Sequence, residues 1–349
     1  MRRLLPVLAL IAACGSGSDD PPLSDGTSLL CPAPGALPFR LDSDGFQKAN
    51  NATLVADNPR TKDEASDTLG TPSGIVASVT ASIYLPDDQA PRAAGVGYRG
   101  AKARTTPMGG LLAKPIADEK VSLWTYDTTS TAWQTLGTAT TDADGYYDVP
   151  AAGNAVPTGQ PVYAVLEGDG SCAEHHSYLL PAGSKVVVTD IDGTLTLDDT
   201  EIITQVGDGA YLPKPMGSAV RLIQAWADKG YTIVYLTARL HVLRAESRTW
   251  LTALDFPAGP LITENGSSAD VYKTLWLRRM IEDFRWEVVV AYGNADTDIT
   301  AYANAGIAKD KTFIVGPLAG NMDTQPIENR DFADHITTYV SAQPANPAP

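Results

Sequence analysis

The sequence is poor in the residues that build redox and soft-metal sites: it has three cysteines and four histidines in 349 residues. No Cys-x-x-Cys pair and no nearby His/Cys cluster occurs, which argues against a zinc site. His175 and His176 are adjacent, so on an extended segment they point to opposite sides and form no clamp. Positive charge is scarce as well. With 26 Lys and Arg against 41 Asp and Glu, the net charge is −15. That balance excludes the basic stripe of a nucleic-acid binder and a polybasic attachment to anionic lipid. Long apolar runs are also missing, and none approaches the roughly 20 residues that cross a bilayer as a helix. What is present is ordinary globular usage, 44% hydrophobic and 19% charged, in a chain long enough for two domains.

The first residues read "MRRLLPVLALIAAC": two arginines, then a short apolar run from Leu4 to Ala13. The ending "IAAC" resembles the lipobox of bacterial lipoproteins. The resemblance implies a signal peptide over residues 1–14 and acylation of Cys14, with an ordinary signal peptide cut nearby as the alternative. It further implies an exported, membrane-anchored bacterial lipoprotein facing the extracytoplasmic side and held by its acyl chains. Residues 15–75 are Gly/Ser/Asp/Pro-rich at first and weakly periodic later, a flexible tether leading into irregular structure. With Cys14 lipidated, Cys31 and Cys172 remain as an even pair, either bridged or free.

From residue 76 to 183 short β-type runs alternate with turn signals, as in "KVSLWTYD", "WQTLGTATT" and "PVYAVLEG". This spacing predicts an immunoglobulin-like β-sandwich with no catalytic constellation of its own. Residues 184–341 change to a βαβ pattern. "KVVVTD", "YTIVYLTA", "EVVVAYGN" and "KTFIVG" are the near-continuous apolar strands of a parallel sheet buried on both faces. Between them fall amphipathic helices near 216–229, 242–254 and 272–284. The prediction is a Rossmann-like, doubly wound α/β domain, with ligands at the carboxyl ends of its strands. Residues 342–349 are expected to be a disordered tail.

Four segments deliver polar groups to that one rim. Asp190 and Asp192 end the first strand in "DIDGT", and Thr237 ends the second in "LTAR". Lys273 opens the third helix, and Asn294 and Asp298 follow the next strand in "YGNADTD". A strand running into Asp-x-Asp-Gly-Thr resembles the nucleophile motif of the haloacid dehalogenase-like phosphatase superfamily. "YLTAR" and "YGNADTDITAYANAGI" followed by "FIVGP" are most similar to its lipin-type branch, the magnesium-dependent phosphatidate phosphatases.

The resemblance implies roles that the chemistry also requires. A phosphomonoester repels an anionic nucleophile unless a cation offsets the charge. Asp190 would attack phosphorus to give an aspartyl-phosphate, and Asp192 would protonate the departing alcohol and then activate water. Mg²⁺ would be held by Asp190, Asp298 and the backbone carbonyl of Asp192. Gly193, Thr194, Thr237 and Lys273 would bind the phosphoryl oxygens. Asn294 either orders its loop or reaches the metal through water, and Arg239 either meets the headgroup or caps the sheet in a salt bridge. Asp296 departs from the lipin-type pattern and, with Asp198 and Asp199, adds negative charge.

Only 47 residues separate Asp190 from Thr237, and 36 separate Thr237 from Lys273, so a full cap domain does not fit. An open site suits a phospholipid substrate at a membrane. The alternatives are an extracytoplasmic phosphatase for soluble phosphoesters and a non-catalytic lipoprotein binding module. Protein partners are not legible in the sequence.

Overall fold

The computed structural model describes Gln47, segments 75–77, 92–99 and 114–115, and, with short gaps, residues 117–346. Cys14, Cys31, the expected signal peptide and nearly all of the tether lie outside the described residues. So does the side chain of Cys172, and with it any statement on the Cys31–Cys172 pair.

The chain divides into two compact units, the second made mainly of residues 180–202 and 212–349. The first unit is built of antiparallel strands. Strands β1 (Ile75–Ala77), β3 (Lys114–Pro115) and β6 (Tyr146–Pro150) all pair with β2 (Arg92–Arg99). A second sheet runs β5-β4-β7-β8, from β4 (Lys120–Asp127), β5 (Ala132–Thr140), β7 (Pro161–Leu166) and β8 (Cys172–His176). Val121, Leu123, Val165 and Leu166 are fully buried, as alternation on β4 and a continuous apolar run on β7 require.

The second unit is an α/β domain on a six-stranded parallel sheet, compatible with a Rossmann-like fold. The strands are β9 (Lys185–Thr189), β10 (Thr232–Leu240), β11 (Leu261–Glu264), β12 (Glu287–Gly293), β13 (Thr312–Val315) and β14 (Gln325–Ile327). Their order is β11-β10-β9-β12-β13-β14. Successive strands step away from β9 in one direction and then, from β12, in the other. The winding reverses at β9, and ligands of open α/β sheets bind beside that reversal, past the carboxyl ends of the strands.

Val186, Val187 and Val188 are wholly buried because β9 has neighbours on both sides and packed layers on both faces. Helix α1 (Glu201–Gly207) belongs from Ile203 onward to the first unit, and in the second α2 (Ala219–Ala227) has Leu222, Ile223 and Trp226 on one inward face. Helices α3 (Arg244–Ala253), α4 (Ala269–Arg278) and α5 (Asp296–Asn304) complete the layers. Helix α2 is shorter than the expected 216–229, and α4 begins at Ala269, three residues before the expected start. For α4 the remainder, Arg279–Asp283, continues as a π-helical turn around buried Met280. Trp226 Nε1 donates to Tyr292 Oη at 2.8 Å, and that hydroxyl meets His335 Nε2 at 2.8 Å. These bonds tie α2, β12 and the last helical segment together.

In this unit two strands went unread in the sequence, β11 and β14, which have only four and three residues, and in the first unit β2, β3 and β8 did. Residues 342–346 correct the expected disordered tail. Lys229 Nζ donates to the Gln343 carbonyl at 2.7 Å, Tyr231 Oη to that of Pro344 at 3.1 Å, and Asn346 N to that of Lys229 at 2.6 Å.

Candidate active site

Register places the polar groups. Thr189 stands level with Tyr235 on β10 and Tyr292 on β12, so Asp190 is the first residue beyond the sheet. The Asp190 N–H still donates to the Tyr292 carbonyl at 3.0 Å, which aligns the nucleophile loop with β12. Ile191 and Leu195 turn into the core at 0% exposure, and the N–H groups of Leu195 and Thr196 donate to the Ile191 carbonyl at 2.8 and 2.9 Å. The loop therefore folds tightly around a buried isoleucine. Gly193 makes this turn with φ +69, where a side chain is strained, and a Cβ there would overlap the Asn294 amide and the Asp199 carboxylate.

At the centre, Lys273 Nζ donates to Asp190 Oδ1 at 2.7 Å and to Asp298 Oδ1 at 2.6 Å. All three residues are buried. Burial opposes the charge on Lys273, yet the two carboxylates outweigh it and hold the ammonium above its ordinary range. For Asp190 the balance is reversed. Burial pushes its carboxyl up, Lys273 pulls it down, and the charges of Asp298 and Asp192 push it up again. One ammonium shared between carboxylates leaves Asp190 the less compensated.

Asp298 accepts the Asn294 and Ala295 N–H groups on Oδ2 at 3.0 and 3.1 Å, which caps α5 and fixes its other oxygen toward Lys273. Gly293 allows this approach, since a Cβ there would lie 2.5 Å from Asp298 Cβ. The Thr194 hydroxyl lies 3.4 Å from Asp190 Oδ2 and 3.2 Å from Asn294 Oδ1. The Asn294 amide in turn donates to Asp199 Oδ1 at 3.0 Å. Burial pushes the Asp199 carboxyl up, the bond from Asn294 opposes it, and neighbouring carboxylates add to the rise.

Arg239 is 4% exposed and grips Asp192 with two bonds, Nε to Oδ2 at 2.9 Å and Nη2 to Oδ1 at 2.8 Å. Of the two roles open to Arg239, the structure has the salt bridge. Thr237 is fully buried, and its hydroxyl accepts the Arg239 N–H at 3.2 Å. Gly193 N donates to Thr196 Oγ1 at 3.0 Å and Thr194 N to the Ile191 carbonyl at 3.2 Å, so both are spent on the loop itself. Contact between these two N–H groups and a phosphate requires an exchange of those bonds.

Asp190, Thr194, Lys273, Asn294 and Asp298 thus form one hydrogen-bonded network, and Asp192, Arg239 and Thr237 form a second, close enough for the Asp192 charge to act on Asp190. Asp199 joins the first, although sequence reasoning treated it only as added charge. Its partner Asn294 is 95 positions away, and no periodicity signals such a pair. Among the described residues, no group of three His, Cys, Asp or Glu forms a ready-made metal cage.

Residues 187–316 match the family model described as PITM 1-3, LNS2 domain. The chain is 28% identical over 238 residues to human membrane-associated phosphatidylinositol transfer protein 3, covering 66% of this chain and 24% of that protein. It is 27% identical over 221 residues to protein retinal degeneration B of Drosophila melanogaster, covering 62% and 17%. With membrane-associated phosphatidylinositol transfer protein 1 of Rattus norvegicus it shares 29% identity over 197 residues, 55% and 15%. The chain thus spans a quarter or less of the length of these relatives.

The matches correct two expectations. The LNS2 domain is itself haloacid dehalogenase-like, but these relatives are phosphatidylinositol transfer proteins, so the lipin-type phosphatidate phosphatase branch does not stand. The mouse, human and rat relatives are named membrane-associated, and all of these relatives, the fly protein included, are eukaryotic, which overturns the exported bacterial lipoprotein. The N-terminal composition that suggested it is a short-range pattern, whereas the family match extends over the α/β unit. No helix among the described residues is long and apolar enough to cross a membrane.

Proposed function

We propose that the α/β unit hydrolyses a phosphomonoester carried by a phospholipid, with Asp190 as nucleophile. The observation that carries this reading is the buried Asp190–Lys273–Asp298 triad beside Asp192 at the reversal point of the sheet. Asp190 attacks phosphorus, the bond to the alcohol oxygen breaks, and that oxygen takes its proton from the Asp192 carboxyl. Water then attacks the aspartyl-phosphate, Asp192 takes a proton from it, and phosphate leaves with Asp190 restored. Lys273 keeps the Asp190 carboxylate aimed and offsets its charge, and the Thr237 hydroxyl proton is available to a phosphoryl oxygen.

The donor set suits Mg²⁺. Four carboxylates, Asp190, Asp192, Asp199 and Asp298, stand against the cations Lys273 and Arg239 among the described residues, and every ligand atom on offer is a hard oxygen. Asp190, Asp298 and the Asp192 carbonyl would hold the ion, which would offset phosphate charge.

A second reading is headgroup binding without turnover. The names of the mammalian relatives favour it, since they describe phosphatidylinositol transfer and association with membranes. The β-rich unit, read as an immunoglobulin-like sandwich, would then serve a partner in either case. Phosphate release from short-chain phosphatidate in micelles and from glycerol 3-phosphate, with and without Mg²⁺, separates the readings. The enzyme reading expects Mg²⁺-dependent release with the lipid preferred. Saturable lipid binding with no release from either substrate favours the second.

A further inference from the structure

Arg239 is held more firmly than an ion pair at a site mouth requires. Besides its two bonds to Asp192, its Nη1 donates to Ser247 Oγ on α3 at 2.9 Å, and its Cζ lies 5.9 Å from the centre of the Trp250 ring. The Arg239 side chain is 1% exposed and that of Asp192 20%, so the guanidinium approaches from inside and the carboxylate opens outward. A two-bond fork fixes the plane of a carboxylate, which a single ammonium contact does not.

We propose that Arg239 is a positioning residue whose fork sets the plane of the Asp192 side chain, from which its carboxyl group, reprotonated by the hydrolytic water in the preceding turnover, protonates a departing alkoxide. The proposal rests on the phosphatase reading. Its consequence is specific. An alkoxide is a poor leaving group and needs the proton as the P–O bond breaks, whereas a nitrophenolate departs without it. A defect in positioning Asp192 therefore shows on alkyl phosphates and is muted on aryl phosphates. A defect in folding or in phosphate binding shows on both.

The test compares wild type, Arg239→Gln, Arg239→Lys and Ser247→Ala on short-chain phosphatidate and on p-nitrophenyl phosphate with Mg²⁺, reading kcat and KM separately. Arg239→Gln should lower kcat on the alkyl substrate about 100-fold, within the usual range for a general acid. On the aryl substrate its kcat should fall by less than about tenfold, with KM on both within about threefold of wild type. Arg239→Lys should resemble Arg239→Gln, because a lysine keeps the charge but not the fork. Ser247→Ala, which removes one brace, should show a smaller loss with the same alkyl-over-aryl bias. Equal losses on both substrates, a rise in KM alone, or full activity in Arg239→Lys would overturn the positioning role while leaving the phosphatase reading intact. Absence of turnover by wild type on either substrate would overturn that reading, and this proposal with it.

Discussion

Lys273 is the residue on which the centre of the site depends, because it is the described cation that Asp190 and Asp298 both touch. Removing one partner from a buried ion pair leaves the other charged and unsolvated, at a cost of about 3–5 kcal/mol. Lys273→Met should therefore lower the urea midpoint substantially as well as abolish turnover, and an unchanged midpoint would contradict the buried triad. The centre was largely legible in the sequence: Asp190, Asp192, Asn294 and Asp298 could be named because each stands just past a strand or at the start of a helix, whereas Lys273, expected to open its helix, lies inside Ala269–Arg278. The partners of Arg239 and Asp199 were not, since contacts across 47 and 95 residues leave no local pattern.

Among the elements, the nucleophile loop and the last helical segment carry separate expectations. Gly193→Ala forces a Cβ at φ +69 into the Asn294–Asp199 contact, so it should destabilise by more than the roughly 1 kcal/mol of the backbone effect alone. Gly183→Ala has φ +84 but nothing within 4 Å, and should show only that backbone cost. Unfolding curves for the two variants check the difference. His335 offers a pH test. Burial lowers its pKa to about 4, below the roughly 6.5 of an unfolded histidine. The unfolded chain then binds the extra proton first, so this stabilisation is complete above about pH 6.5 and is lost as pH falls toward 4. With His335 partly solvated, the loss should be on the order of 2 kcal/mol, and His335→Gln should flatten the stability curve in that window. A variant whose stability falls as steeply as wild type would contradict it. Strong apolar strands such as β9 and β12 were readable from their valine runs. The short edge elements β11 and β14 were not, because three or four residues carry no period.

For the whole molecule, net charge is the controlling quantity. At −15 this chain should be repelled by anionic vesicles, and more strongly at low salt, where the Debye length is longer. Co-sedimentation that rises as ionic strength falls would point to a basic surface that the sequence does not supply. The α/β class of the second unit was legible at this scale, because alternation of apolar strands and amphipathic helices over about 150 residues has few other solutions. Lineage was not: the Asp-x-Asp-Gly-Thr motif pointed to the lipin-type branch, whereas residues 187–316 match the LNS2 model and the human and rat relatives are named phosphatidylinositol transfer proteins. Whether the chemistry is retained turns on Asp190. The direct measurement is phosphate release from short-chain phosphatidate with Mg²⁺ by wild type and by Asp190→Asn at equal folded concentration. The account predicts turnover by wild type and a loss of at least about 1,000-fold in the variant, since an amide cannot attack phosphorus. Equal rates in the two proteins, or none in wild type, would contradict it.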